Sequence, residues 1–133
     1  DPVYPNIKNA PGGKYEGIAF TLTPDSANNV TLVSNAFTAG SAPSVARVVV
    51  FANDLESITV NTDLVASVSR DGGSNFSNVT LVDEGYVTGA SGQRIYAGLV
   101  TVSGQPSGTS MRWKLTTANT KKIDIHGVSL AWA

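Results

Sequence analysis

Apolar and polar positions alternate along most of this chain with the period of a strand. Ile18, Phe20 and Leu22 alternate with Gly17, Ala19 and Thr21 and are closed by Thr23-Pro24-Asp25, a pattern that predicts a first half-buried strand ending in a turn. Val30 to Phe37 and Val45 to Phe51 are predicted as the next two, separated by the small-residue loop Thr38-Ala39-Gly40-Ser41-Ala42-Pro43. The Val45 strand is apolar on both faces, which places it centrally in a sheet. Leu64, Ala66 and Val68 alternate with Val65, Ser67 and Ser69; the chain then turns through Asp71-Gly72-Gly73 and resumes at Val79 and Leu81, a hairpin signal. Ile95 to Val102 is a further strand. Met111, Trp113 and Leu115 alternate with Arg112, Lys114 and Thr116, so Trp113 is assigned to the core.

In the last segment, Ile123 and Ile125 fall on odd positions, but Val128, Leu130 and Trp132 fall on even ones. A slip of one residue is therefore expected around His126-Gly127, with Gly127 the candidate bulge. About eight strands, punctuated by Gly, Pro, Ser and Asn and with no helical period between them, predict an all-β fold. The expected architecture is an antiparallel, jelly-roll-like β-sandwich over residues 15–133. Residues 1–14, with Pro2, Pro5, Pro11 and Gly12-Gly13, are expected to form an extended arm, in which Tyr4 and Ile7 are candidate oligomer contacts.

Composition narrows the function classes. The 133 residues are only 14% charged, with a formal net charge of -1 and no basic run, which argues against nucleic acid as a partner. No apolar stretch reaches the ~18 residues of a membrane span. There is no cysteine, so thiol chemistry, thiolate metal sites and disulfides are excluded. A chain opening at Asp1 is expected to be processed, trimmed or cut from a longer polypeptide.

Few groupings suggest chemistry. Asp54, Glu56, Asp63, Asp83 and Glu84 lie in or near predicted loops, and their hard oxygen ligands could gather a Ca²⁺ if the fold brought them together; no EF-hand spacing supports this, and no metal or other cofactor is expected. Adjacent acids such as Asp83-Glu84 do not supply the facing pair that glycoside hydrolysis requires. His126 with Asp124 could form an oriented base, but no nucleophile elbow accompanies them, and His126 is read as a structural or subunit-contact histidine. No catalytic residues are assigned. The segment from Asp83 through Gln93 is read as a long glycine-rich recognition loop. Tyr86, Gln93, Arg94 and Tyr96 are the candidate binding residues, because tyrosines flanked by polar side chains stack on sugars or anchor protein interfaces.

Ser69-Arg70-Asp71-Gly72-Gly73-Ser74-Asn75-Phe76 resembles the Asp-box pattern S-x-D-x-G-x-x-[WF] of sialidases and other β-rich extracellular proteins. Its expected role is local: Asp71 accepts hydrogen bonds from turn amides, Gly73 tolerates positive φ and Phe76 pins the hairpin.

A wider resemblance is carried by Thr31-Leu32-Val33-Ser34 with Ala46-Arg47-Val48-Val49-Val50, by Asn61 through Gly73, by Val102 through Met111 and by Ile123 through Trp132. These segments resemble a C-terminal module of tail-fibre-like structural proteins of tailed bacteriophages and prophages. The resemblance implies a non-enzymatic, extracellular virion module. It further implies a homo-oligomer, with a trimer favoured, or contact with other virion proteins, and attachment to a host-surface glycan or protein; it implies no particular ligand residues. The residues leave two alternatives open: a carbohydrate-binding module of a secreted enzyme or adhesin, and a filament subunit whose arm adds a strand to a neighbour.

Overall fold

The computed structural model describes residues 28–89 and 92–133. The expected arm, the alternating segment from Ile18 to Leu22, and Tyr4 and Ile7 lie outside the described residues. Among the described residues there is no helix, and nine strands form two antiparallel sheets. The strands are β1 (Thr31–Val33), β2 (Phe37–Thr38), β3 (Val45–Asp54), β4 (Leu64–Ser69), β5 (Ser77–Val79), β6 (Val82–Tyr86), β7 (Arg94–Thr101), β8 (Ser110–Thr117) and β9 (Ile123–Trp132). One sheet has the order β1-β8-β4-β5, with the short β2 also paired to β8, and the other has the order β6-β7-β3-β9. The chain is a β-sandwich.

The inward residues explain why the sheets associate. Ala46, Val48, Val50 and Ala52 on β3 face Leu64, Ala66 and Val68 on β4 and Met111 and Leu115 on β8 across one shared core, which Ile123 and Ile125 on β9 extend. Burying each of the larger aliphatic side chains contributes roughly 1.5–3 kcal/mol, and with no disulfide this packing is the main cohesive term. β3 lies between β7 and β9, as its two apolar faces require: Val49 and Phe51, on its other face, are half-buried. Trp113 is half-buried and packs against the core rather than within it.

The slip in the last strand is present. Phe51 faces Gly127 but Ala52 faces Ile125, so His126 is the extra residue that lets both Ile125 and Val128 pack on the core side. Two expectations need correction. The predicted strand from Val30 to Phe37 is split into β1 and β2. Val33 pairs with Lys114 but Phe37 with Met111, a register offset of one residue. Ser34 causes the break: its hydroxyl accepts the Trp113 amide at 3.0 Å, in place of a ladder carbonyl.

The second correction concerns the segment from Asp83 through Gln93, which is not a loop throughout. Val82–Tyr86 is the edge strand β6, paired to β7 with an irregularity between Asp83 and Tyr86, where Gly85 has φ +94. The strand is mostly exposed and carries a polar Asp-Glu-Gly centre, so it offers no apolar alternation to recognise.

The crossing from β5 into β6 runs directly over β7. A Cβ on Gly98 would lie 2.1 Å from the Thr80 carbonyl oxygen, so only glycine permits this approach. Leu81, just before β6, is held by the Asn61 side chain, which donates to its carbonyl at 2.8 Å and accepts from its amide at 2.7 Å.

Candidate binding cleft

At the end of the four-stranded sheet, where β3 finishes and β7 begins, the antiparallel register brings three segments together. Asp83 on β6 faces Tyr96 on β7, Tyr86 faces Arg94, and Arg94 faces Ala52, two residues before Asp54. The result is an open polar cleft of about 570 Å³, lined by Asn53, Asp54, Glu56, Asp83, Tyr86 and Arg94 among others.

Arg94 organises the cleft. Its Nη1 donates to Asp83 Oδ2 at 2.5 Å, its Nη2 donates to the Tyr86 hydroxyl at 2.7 Å, and its Nε lies 3.7 Å from Asp54 Oδ2. Its guanidinium also sits 4.4 Å from the centroid of the Tyr86 ring, a cation–π contact. Burial works against the guanidinium charge, but Asp83, Tyr86, Tyr96 and Asp54 outweigh it and raise the Arg94 pKa above its ordinary value. Asp83 is fixed from the other side by the Gly85 amide, which donates to Oδ1 at 2.9 Å.

Beneath this layer, the buried Tyr96 hydroxyl donates to Asp54 Oδ2 at 2.5 Å. Burial pushes the Asp54 carboxyl above its ordinary pKa; the Tyr96 hydrogen bond and Arg94 offset this only in part. Burial, followed by the adjacent Asp54, also pushes the Tyr96 phenol well above its usual value. Asp54 Oδ1 is buried and accepts no hydrogen bond among the described residues. Glu56 is anchored by the Lys122 amide, which donates to Oε2 at 2.9 Å, and Lys121 lies 4.0 Å from its other oxygen.

Of the four residues singled out for binding, Tyr86, Arg94 and Tyr96 meet here. Tyr86 is 58% exposed and presents a ring, whereas Tyr96 is 3% exposed and serves through its hydroxyl. Gln93 does not line the cleft; its carbonyl accepts the Val87 amide at 2.7 Å and closes the β6–β7 connection. Asp54, Glu56 and Asp83, considered from sequence only as loop acids, form the cleft wall. A polar Asn53-Asp54 pair ending an apolar strand was the signal available for them. Asp63 stands elsewhere, accepting from the Thr59 amide and from Asn119 Nδ2, both at 2.7 Å. Among the described residues, no group of three or more His, Cys, Asp or Glu side chains is placed to hold a metal. His126 is exposed at the bulge of β9.

The turn between β4 and β5 is separate from the cleft. Asp71 accepts from the Asn75 amide at 2.9 Å and from Asn75 Nδ2 at 2.5 Å, while the Ser69 hydroxyl donates to its Oδ1 at 2.7 Å. Gly72 and Gly73 both have positive φ. Phe76 packs beside Gly73 with Lys114 Nζ 4.3 Å from its ring centroid.

Comparison of the chain with protein-family models, with curated proteins and with solved structures returned no match.

Proposed function

We propose that this β-sandwich is a non-enzymatic binding module whose cleft takes a glycan, and that it serves as the host-contacting part of a bacteriophage tail fibre or a similar extracellular appendage. The observation that carries the reading is the exposed Tyr86 ring, held beside acceptor-rich carboxylates in a cleft of about 570 Å³, within the range of roughly 300–1,000 Å³ usual for small-ligand sites. A sugar offers an apolar C–H face for the ring and hydroxyl donors for the carboxylates. The acids are already engaged: Asp83 with Arg94 and Gly85, Glu56 with Lys122, and Asp54 with Tyr96. This supports binding rather than acid–base catalysis. The fibre context rests on the sequence resemblance alone.

Binding to a glycan array, followed by titration of the hits, tests this reading. Tyr86→Ala should weaken binding roughly tenfold or more while leaving the fold intact. Unchanged glycan binding in that variant, or no glycan bound by the wild type, overturns it.

Assembly is a second reading, favoured by one observation. Val82 and Leu99, 55% and 66% exposed, lie on the same face of the four-stranded sheet on either side of the buried Ala97, two exposed apolar side chains suited to contact with a second copy. Sedimentation should give an oligomer that Leu99→Glu converts to monomer; a monomeric wild type at high concentration overturns this role.

A further inference from the structure

We propose that the cleft is built for sugars without acidic groups, and that the Asp83–Arg94 pair enforces this by consuming the one cation that a carboxylate or sulfate would need. The inference rests on the glycan reading above and names the class of glycan.

Among the described residues lining the cleft, three carry a negative charge (Asp54, Glu56 and Asp83) and only Arg94 a positive one. An anionic sugar is ordinarily recognised by an arginine with a free pair of N–H donors, which grip the carboxylate side by side. Asp83 and Asp54 already share the Arg94 charge. One terminal nitrogen is held by Asp83, the other by the Tyr86 hydroxyl, and Nε points toward Asp54. Lys121 lies 4.0 Å from Glu56 at the cleft wall. An acidic sugar entering the cleft would therefore meet like charge with no free counter-charge, and would lose hydration without recovering it.

The same contacts give Arg94 a positive task. The hydrogen bond to the Tyr86 hydroxyl and the guanidinium near its ring fix an exposed tyrosine in one orientation before any ligand arrives. Arg94 is thus a positioning residue for the Tyr86 platform, with Asp83 as its anchor. A neutral sugar can stack on that ring and donate hydroxyl hydrogens to the remaining lone pairs of the carboxylates, which accept but cannot donate when ionised.

The experiment is an array carrying neutral oligosaccharides and the same oligosaccharides capped with sialic acid, uronic acid or sulfate, probed with the whole chain. The wild type should bind neutral members at least tenfold more tightly than their acidic counterparts. Asp83→Ala removes both the acceptor on Arg94 Nη1 and one negative charge, and should raise binding of the acidic members relative to the neutral ones. Arg94→Gln, which removes the cation altogether, should weaken binding of neutral members without any gain for acidic ones. The wild-type comparison stands even if a variant fails to fold. Acidic glycans bound as well as neutral ones, with binding lost in Tyr86→Ala, would overturn the selectivity but leave the glycan reading in place. An array with no bound glycan would overturn the glycan reading, and this inference with it.

Discussion

Ser69 and Asp71 divide the β4–β5 turn between a hydroxyl and a carboxylate. Ser69 Oγ accepts the amides of Asp71 and Gly73 at 3.2 and 2.9 Å, while Asp71 gathers the Asn75 amide and side chain. Hydrogen bonds from the Asn75 side chain, and next from Ser69, hold the Asp71 carboxyl at a pKa of about 2, below its ordinary 3.8. A carboxyl whose pKa is lowered on folding stabilises the fold above its unfolded pKa and loses that contribution as pH falls through the folded one. Asp71 should therefore stabilise the protein above pH about 4 and cease to do so near pH about 2. Asp63, lowered chiefly by the Asn119 hydrogen bond, acts in the same direction, whereas Asp54, raised by burial, acts in the opposite one. Urea unfolding of wild type and Asp71→Asn at two pH values isolates the Asp71 share: the variant should be less stable near neutrality, and the gap should close on acidification. A gap independent of pH would contradict it. This turn was legible in the sequence because every side-chain hydrogen-bond partner of the Asp71 carboxylate lies within four residues of it, although the backbone bridge from Asp71 to Ser110 is not local. The bond from Tyr96 to Asp54 was not legible, because 42 residues separate its ends and only the sheet register joins them.

Strands were readable where one face is buried and unreadable where neither is. β3, β4, β8 and β9 carry apolar residues at inward positions, so their alternation is plain. β6 is an exposed edge whose only order comes from pairing with β7, and nothing in Val-Asp-Glu-Gly-Tyr announces that. The break between β1 and β2 depends on one serine replacing a carbonyl in the ladder, a substitution that alternation cannot register. The bulge of β9 was legible for the reverse reason: a change of parity in a buried strand leaves a mark in the apolar pattern. That gives an element-scale prediction. Deleting His126 and Gly127 together, unlike deleting His126 alone, joins Ile125 directly to Val128 and, in a regular strand, forces either Ile123 and Ile125 or Val128 and Leu130 away from the core. Losing two buried aliphatic side chains should cost about 3–6 kcal/mol. His126→Ala keeps the residue count, and with it the parity, and should cost much less. Thermal melts of the two variants make the comparison, and equal losses would refute the parity argument.

The two ends of β3 carry different tasks, since its ten residues span about 30 Å. The cleft lies where β3 ends. Near its start, Arg70 is 8% exposed and has no carboxylate partner among the described residues. Its guanidinium donates to the carbonyls of Pro43, Ser103, Gln105 and Pro106, and its amide donates to Gln105 Oε1. Gln105 Nε2 in turn donates to Val68 O and Ser77 Oγ, and Gly108 passes so close that a Cβ would lie 2.5 Å from Arg70 O. Arg70 thus ties the loop before β3 and the loop between β7 and β8 to the end of β4. A lysine places three donors around a single nitrogen and cannot span four carbonyls set around a planar fork. Arg70→Lys should lower stability by about 2–4 kcal/mol, since hydrogen bonds from a charged group contribute about 1.5–3 kcal/mol each and lysine recovers part of them. Sites this far apart with no shared partner are expected to act additively. Well below its melting temperature, then, Arg70→Lys should bind the glycan hits as wild type does, while Tyr86→Ala should melt as wild type does and bind poorly. The double variant should show both defects at their separate sizes. A loss of affinity in Arg70→Lys under conditions where it is folded would mean that the two ends are coupled through the sheets, and the division of tasks would fail.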